Sequence, residues 1–383
     1  MVLVIDPRTG LAGDMFIGAL IDLGVDVFSI IDTFSEIAEI NINRETEGVQ
    51  VKVIPKFDEL SFNEALDLLK RICDLLSMNE KFKQLAIRIV KILFEAEEWA
   101  HKEYKIGHPG VLHEASDIIV DASLSAYALQ QLRASEIYCL YPVYYGGGVV
   151  HFSHGVFEVP APATRYIISK YNIPAEKGPV DTELLTPTGA AILAALQPLY
   201  LHRLDLRKNF EIISSGKGRG AKKLPIPNVL RVYLAKKRGE VFLEKVIELE
   251  TNLDDVSPEV IGDLFSSIPE ALDIQVVPVI GKKNRPAYLL RVWCYEEDEK
   301  EVVNEIFRLT GTLGIRRYVI ERYVRPRWVK VKKIRVRGKE FIIRFKDSKP
   351  EHEDLLRISR EIGLSVVELE RMILSGDIEV VNE

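Results

Sequence analysis

The sequence predicts a mixed chain: an α/β or α+β half over residues 1–240, then a ferredoxin-like α+β half over residues 241–383. Three observations lead there. A strand, a glycine-bearing loop and a helix open the chain. Apolar strands and helices then alternate to about residue 240. From Glu244 the order becomes strand, helix, strand, strand, helix, strand, the split-βαβ pattern. A length of 383 residues, 47% of them hydrophobic, is enough for two or three separate cores.

In chain order, residues 2–6 read as a short buried strand, and Thr9-Gly10-Leu11-Ala12-Gly13-Asp14 leads into a helix over Met15 to Leu23, stopped by Gly24. A strand near Gln50 to Lys56 precedes two helices that open at the capping boxes Ser61-x-x-Glu64 and Ser77-x-x-Glu80. The second repeats Phe82, Leu85, Ile89, Ile92, Leu93 and Ala96 on one face, a core stripe. A helix over Ile118 to Leu132 follows, then a strand ending at Gly146-Gly147-Gly148. Pro160-Ala161-Pro162 and Thr186-Pro187 open two more helices. In the second half the expected elements are strand 245–251, helix 258–268, strands 273–280 and 287–295, helix 299–310 and strand 315–323. A hairpin over 329–346 turning at Gly338, and a helix capped by Ser365-x-x-Glu368, complete the chain. The charged, glycine-bearing link Lys236 to Glu240 marks the boundary.

Three scattered cysteines, Cys73, Cys139 and Cys294, offer neither a disulfide framework nor a thiolate metal knuckle. With no signal-like start and no apolar run of membrane-spanning length, the expectation is a cytoplasmic protein without membrane contact. The net charge is −6, but Arg316 to Lys346 holds many Lys and Arg against Glu321 and Glu340 alone. Such a block suits an anionic partner, or it is a solvated hairpin face with alternating charge. Few aromatics interleave it, so a single-strand nucleic-acid platform is not expected.

The densest polar cluster is Thr251-Asn252-Leu253-Asp254-Asp255-Val256-Ser257-Pro258-Glu259, where a strand empties into a helix N-terminus. Oxygen donors of this kind suit Mg²⁺ or Mn²⁺, making Asp254, Asp255 and Glu259 candidate metal ligands beside Asn252. Capping alone explains Ser257 and Glu259; it does not explain an Asn and two Asp together. The hairpin loop Gly281-Lys282-Lys283-Asn284-Arg285-Pro286 and the loop Thr310 to Arg317 add cations able to grip phosphates. Lys282, Lys283, Asn284, Arg285 and Arg316 are the candidates, although Asn and Pro also suit a plain turn.

In the first half, Asp14 and His113-Glu114 sit beside glycine or apolar runs, as does His154. Glu114, Asp117 and Asp121 fall at i, i+3 and i+7, one helix face, which repels itself unless a cation or base compensates. Imidazole and carboxylate together can bind a divalent transition metal, Ni²⁺ included. Asp14, His113 and Glu114 are the candidate catalytic residues, and His113, Asp117 and His154 the candidate nickel ligands. Hydrogen-bonded structural roles are the competing explanation.

Read together, Gly10 to Leu20, His113-Glu114 with Asp117 and Asp121, His154-Gly155 before Pro160 to Thr164, and Leu185 to Ala191 resemble the nickel-insertion proteins of lactate racemase maturation. In the second half Pro227 to Arg231, Glu250 to Asp255, Lys282 to Pro286, Thr312 to Arg316 and Lys349-Pro350-Glu351 continue the likeness in the same order. The resemblance implies a cyclometallase, or nickel chelatase, that consumes CTP with Mg²⁺ or Mn²⁺. Its substrate would be the small mononucleotide pyridinium-3,5-bisthiocarboxylic acid mononucleotide, into which it inserts Ni²⁺. It also implies that the ferredoxin-like half holds CTP and forms a homo-oligomer. Where that family usually has His-Phe-His-Glu, this chain has Val111-Leu112-His113-Glu114, so one imidazole is absent.

A second expectation stands beside this one: a non-enzymatic nickel or nucleotide chaperone, or an RNA-binding protein, docking its partner on the basic 316–346 segment.

Overall fold

A computed structural model describes residues 1–104, 110–152, 155–202, 206–239, 241–325, 329–346 and 349–381. The chain is a mixed α/β protein that falls into two compact units, Met1–Arg238 with Pro326–Glu383, and Gly239–Arg325.

In the first unit, β1 (Val2–Asp6) is buried along its whole length and α1 (Gly13–Asp22) follows it. β2 (Ala38–Glu45) and β3 (Gly48–Pro55) form a hairpin. Then come α2 (Phe62–Leu75), α3 (Glu80–Tyr104) and α4 (Ala115–Leu132). Further along come β4 (Glu136–Tyr141), α5 (Pro162–Tyr171), α6 (Pro187–Leu196), β5 (Leu199–His202), β6 (Phe210–Arg219) and β7 (Val229–Lys237), with shorter strands between them. One seven-stranded sheet runs β5-β4-β1-β7-β6-β3-β2. β1, β4 and β5 are parallel, whereas β7 lies antiparallel to both β1 and β6. Helices and sheet share a single core that includes Leu3, Ile5, Phe16, Ile89, Ile119 and Ile192. α1 crosses β6 at backbone contact: a Cβ on Gly218 would stand 1.7 Å from the Met15 carbonyl oxygen, so glycine sets that approach.

Local chemistry fixes the helix starts. The capping box at Ser61 and Glu64 closes in both directions, and Thr186 accepts from the Gly189 amide at 3.2 Å. Ser77 does not cap as expected. Its φ is +51°, and α3 starts instead behind Asn79, whose side chain accepts from the Phe82 amide at 3.3 Å.

In the second unit the elements are β8 (Phe242–Leu253), α7 (Pro258–Ser267), β9 (Asp273–Ile280), β10 (Pro286–Cys294), α8 (Glu299–Thr310) and β11 (Arg316–Val324). Each lies within a few residues of its sequence-based position. Their sheet runs β9-β10-β8-β11, antiparallel at every neighbour. Ile247, Leu249, Leu253, Leu290 and Val292 pack under Leu264, Val302 and Ile306, so alternate strand residues face the helices.

The segment after residue 325, expected to belong with the second half, is grouped with the first unit. Its hairpin, β12 (Val329–Val336) and β13 (Lys339–Lys346), turns at Gly338 as expected. α9 (His352–Ile362), which the sequence reading missed, and α10 (Val366–Ser375) cover that hairpin. Ile334, Phe341, Ile343, Leu355, Ile358 and Leu369 give it a core of its own, which explains why it does not extend the core of the second unit. Among the described residues no helix is long and apolar enough to cross a membrane.

Candidate functional site

The first cluster lies where β1 ends and α1 begins, the end of a parallel strand where α/β sheets commonly bind ligands. Asp14 sits in the first turn of α1 and accepts from the Met15 amide at 2.7 Å. α1 has no side-chain cap of its own. Instead Asp121, from the middle of α4, comes up against its first residue: a Cβ on Gly13 would stand 1.8 Å from Asp121 Oδ2. One turn back along α4 is Asp117, and Glu114 precedes the helix in a left-handed conformation.

Electrostatics show how closely these groups stand. Burial pushes the Asp117 carboxyl up to about 6, helped by the charges of Glu114, Asp58 and Asp14. Burial also raises Asp121 far above the ordinary carboxylate range, with Asp14, Asp117 and Glu114 adding to it. Glu97 of α3 is pushed by burial to about 8 although it accepts from the His113 amide at 3.3 Å, and Glu114 pushes the same way. Glu183 is raised by burial to about 7 against the opposing pull of Lys222, the same cation that opposes burial at Asp14. Asp117 Oδ1, Asp121 Oδ1 and Glu183 Oε1 are buried with no hydrogen-bond partner among the described residues. Buried carboxylate oxygens without donors are costly, so the cluster is either proton-loaded or awaits a cationic ligand.

The structure thus brings together Asp14, Glu114 and Asp117 of the expected residues. His113 stands at their margin: Nδ1 pairs with Glu59 Oε1 at 3.1 Å, and the ring meets His101 edge-on with centroids 5.4 Å apart. His154 lies outside the described residues. Among the described residues no three His, Cys, Asp or Glu side chains close around a single metal position.

Glu97, Glu183 and Lys222 escaped the sequence reading. Glu97 did leave a signal, a charge four residues beyond Leu93 on the apolar stripe of α3. Glu183 left none, because only the folded chain lays its segment beside the loop before α1, where the Leu11 amide donates to the Leu184 carbonyl at 2.8 Å.

The second cluster lies at one end of the sheet of the second unit, where β8 ends, β10 and β11 begin, and the Lys282–Asn284 turn joins β9 to β10. Asp254 and Asp255 leave β8 exposed and have no ion pair among the described residues. Neither do Lys282 and Arg285. Nothing is described of the Lys283 side chain, and Asn284 takes a left-handed turn conformation at φ +56°. Glu259 is held below the ordinary range by a hydrogen bond from Ser257, so it serves the helix start. Arg316 is also committed, donating to Glu250 at 2.8 Å and to Asn252 Oδ1 at 3.1 Å. Burial would raise Glu250, but Arg291 and Arg316 together outweigh it and hold the carboxyl low. Thr251 and Thr312 join their hydroxyls at 2.7 Å and tie the following loop to β8. The site therefore has a fixed floor at Glu250, Asn252 and Arg316, and uncommitted charges of both signs above it. Two exposed carboxylates beside loose cations fit a hard divalent ion carried on phosphate oxygens.

Within the basic 316–346 block, several of the described cations face carboxylates of the fold. Arg317 donates to Glu299 at 2.6 and 2.9 Å, Arg322 to Glu244 at 2.6 Å, and Lys333 and Arg335 both meet Glu340. Arg344 is wrapped by Asp354. A cavity of about 530 Å³ between α5 and this segment is lined by Arg344, Asp354 and Arg357, whose charges answer one another.

Comparison with known proteins supplies the family. The family model described as nickel insertion protein matches residues 3–370. The chain is 32% identical to the pyridinium-3,5-bisthiocarboxylic acid mononucleotide nickel insertion protein of Clostridium acetobutylicum, covering 99% of this chain and 100% of that one. It is 33% identical to the protein of the same name from Clostridium kluyveri, covering 98% and 99%. Among solved structures, the C-terminal domain of a cyclometallase involved in synthesis of the NPN cofactor of lactate racemase aligns with 35% of this chain and 96% of its own, at 21% identity and a TM-score of 0.30. The full-length match, over residues 3–370, places this chain in the nickel insertion protein family.

Proposed function

We propose that this protein inserts Ni²⁺ into pyridinium-3,5-bisthiocarboxylic acid mononucleotide in a CTP-dependent reaction, as a nickel chelatase or cyclometallase. The observation that carries the reading is the group of donor-starved buried carboxylates around Asp121, a place prepared for positive charge. Nickel is the substrate here. Asp117 and Asp121, with His113 beside them in sequence, are the groups to receive it, together with His154, and Asp14 and Glu114 hold the local field negative.

Forming a nickel–carbon bond requires the ring carbon to lose its proton. A carboxylate kept close to neutrality by burial can take it, because its proton affinity lies near the working pH. Excluding water from the cluster also strengthens the attraction of its charges for the cation.

The second unit, on this reading, is a ferredoxin-like nucleotide domain, supported by its βαββαβ element order and 4-1-3-2 strand arrangement. Asp254 and Asp255 would hold Mg²⁺ or Mn²⁺ on the CTP phosphates, while Lys282 and Arg285 grip the phosphates themselves. Such an ion would neutralise charge on the phosphate oxygens. Self-association of the chain belongs to the same reading. The alternative, an RNA-docking chaperone, has less support, since several of the cations it would use already face carboxylates.

The test is direct. Purified protein, Ni²⁺, CTP with Mn²⁺ and the sulfur-bearing mononucleotide should give the nickel-loaded product by mass spectrometry. Equal yield without CTP would remove the nucleotide step, and no product under any condition would remove the reading.

A further inference from the structure

The triple glycine Gly146-Gly147-Gly148 lets one segment of backbone lie directly on another. A Cβ on Gly146 would stand 1.9 Å from the Thr182 carbonyl oxygen and one on Gly148 2.7 Å from that of Asp181, and both glycines have positive φ, +92° and +74°. The Gly147 amide donates to the Thr182 carbonyl at 3.3 Å and the Leu184 amide to the Tyr145 carbonyl at 3.0 Å, with Gly146 and Glu183 facing each other as an antiparallel bridge. On its other side the segment is tied to the loop before α1, because the Leu184 carbonyl accepts from the Leu11 amide at 2.8 Å. Glu183 is therefore fixed by both chain neighbours at the edge of the acidic cluster. Its own side chain is not committed: Oε1 is buried with no hydrogen-bond partner among the described residues.

The other acids of the cluster are otherwise engaged. Glu97 accepts from the His113 amide and Asp14 from the Met15 amide, while Glu114 is exposed to water. Asp117 and Asp121 share α4 and are the groups to receive the ion; Asp121 is only 8% exposed and its Oδ1 has no partner among the described residues. A carboxylate lying against a divalent cation is a weak base, since the cation favours its charged form. Glu183 comes from a different segment, yet the charge of Glu114 acts on Glu183, Asp117 and Asp121 alike, so the three border one space.

We infer that Glu183 is the catalytic base that takes the ring proton as nickel bonds to the ring carbon. The C–H bond breaks and its electron pair becomes the nickel–carbon bond, while the proton passes to the Glu183 carboxylate. Nickel stays divalent, and nothing is oxidised or reduced. Burial lifts the Glu183 carboxyl to about 7, with Lys222 opposing and Glu114 adding, a proton affinity suited to taking a proton and releasing it again. The residue as a whole is only half-buried, which leaves that proton a route to water. The glycine clamp keeps the base in place while the substrate arrives, so little reorganisation is needed at the moment of transfer.

Glu183 has this part only if the chain inserts nickel as proposed above, and the test separates the two. In the full-length protein with Ni²⁺, CTP, Mn²⁺ and the sulfur-bearing mononucleotide, Glu183→Gln should form the nickel product about a hundredfold or more slowly. Its binding of Ni²⁺ and of the mononucleotide, read by calorimetry, should match the wild type. Glu183→Asp keeps the base but draws it back by one methylene. Its slower reaction should show a larger rate difference than the wild type between substrate carrying hydrogen and substrate carrying deuterium at the reacting carbon. Product formation by Glu183→Gln within about threefold of the wild-type rate overturns the role of Glu183 alone. Loss of Ni²⁺ or mononucleotide binding in Glu183→Gln, with no rise in the isotope effect of Glu183→Asp, overturns it too, because that pattern marks a binding or structural residue. A wild type that makes no product overturns nickel insertion and the role of Glu183 together.

Discussion

The carboxylate of Asp121 lies so close to Gly13 that a single added methyl would fall 1.8 Å from its Oδ2 and 2.9 Å from Cγ2 of Thr188. A helix start, a buried acid and the first turn of α6 are thereby held at one point. Gly13→Ala must push Asp121 away or unseat α1. The expected result is loss of nickel-product formation with a fall in stability of about 1–3 kcal/mol, read by denaturant unfolding. Gly262→Ala, in the exposed interior of α7 with nothing within 4 Å of the new Cβ, should instead stabilise by roughly 0.5–1 kcal/mol.

Stability should fall as pH rises across the cluster's titration range. The folded state raises Glu183 to about 7 by burial, against Lys222 and helped by Glu114. In the unfolded chain the same group ionises at about 4.3. Between those values the folded state binds the extra proton, so the contribution is complete below about 4.3 and is lost as pH passes 7. Glu97 at about 8 carries the same sign. Melting temperatures from pH 4 to 8 should decline, and Glu183→Gln should flatten the curve. A rising profile that the substitution leaves unchanged contradicts the account.

Nucleotide binding should depend on the uncommitted charges of the second unit and be blind to the first cluster. Asp254→Asn and Arg285→Ala should each weaken CTP binding in the presence of Mn²⁺ by about tenfold or more in calorimetry. His113→Ala should leave it unchanged. Weakening by His113→Ala would mean that the two clusters are not independent.

RNA binding should be weak and shallow in its salt dependence. With Arg317, Arg322, Lys333, Arg335 and Arg344 all facing carboxylates, the block has fewer cations to displace counterions than its sequence offers. Titration of labelled single-stranded RNA at 50 and 200 mM salt should differ by less than about tenfold; a drop of a thousandfold would reinstate the basic block as a nucleic-acid face.

How far the sequence could be read depended on the range of the interactions. Elements of the second unit were legible almost to the residue because caps and turns are local: Ser257 and Pro258 open α7, and Gly311 ends α8 in a left-handed conformation. The acidic face was legible in part, since Asp117 and Asp121 share α4, whereas Glu114 sits just before it in a left-handed conformation. Its completion by Glu183 and Lys222 was not, as each arrives from a distant loop. The basic block left two readings open in the sequence. Its own sequence shows a cation excess, while Glu244, Glu299 and Asp354, which answer it, lie tens of residues away or in a helix that was not foreseen.

Pro278 has a consequence for the second unit outside its own sheet. A margin with a full row of N–H donors can template a stray strand, and a proline interrupts that row. Because the interruption falls inside β9, that margin is a poor seed for runaway sheet growth.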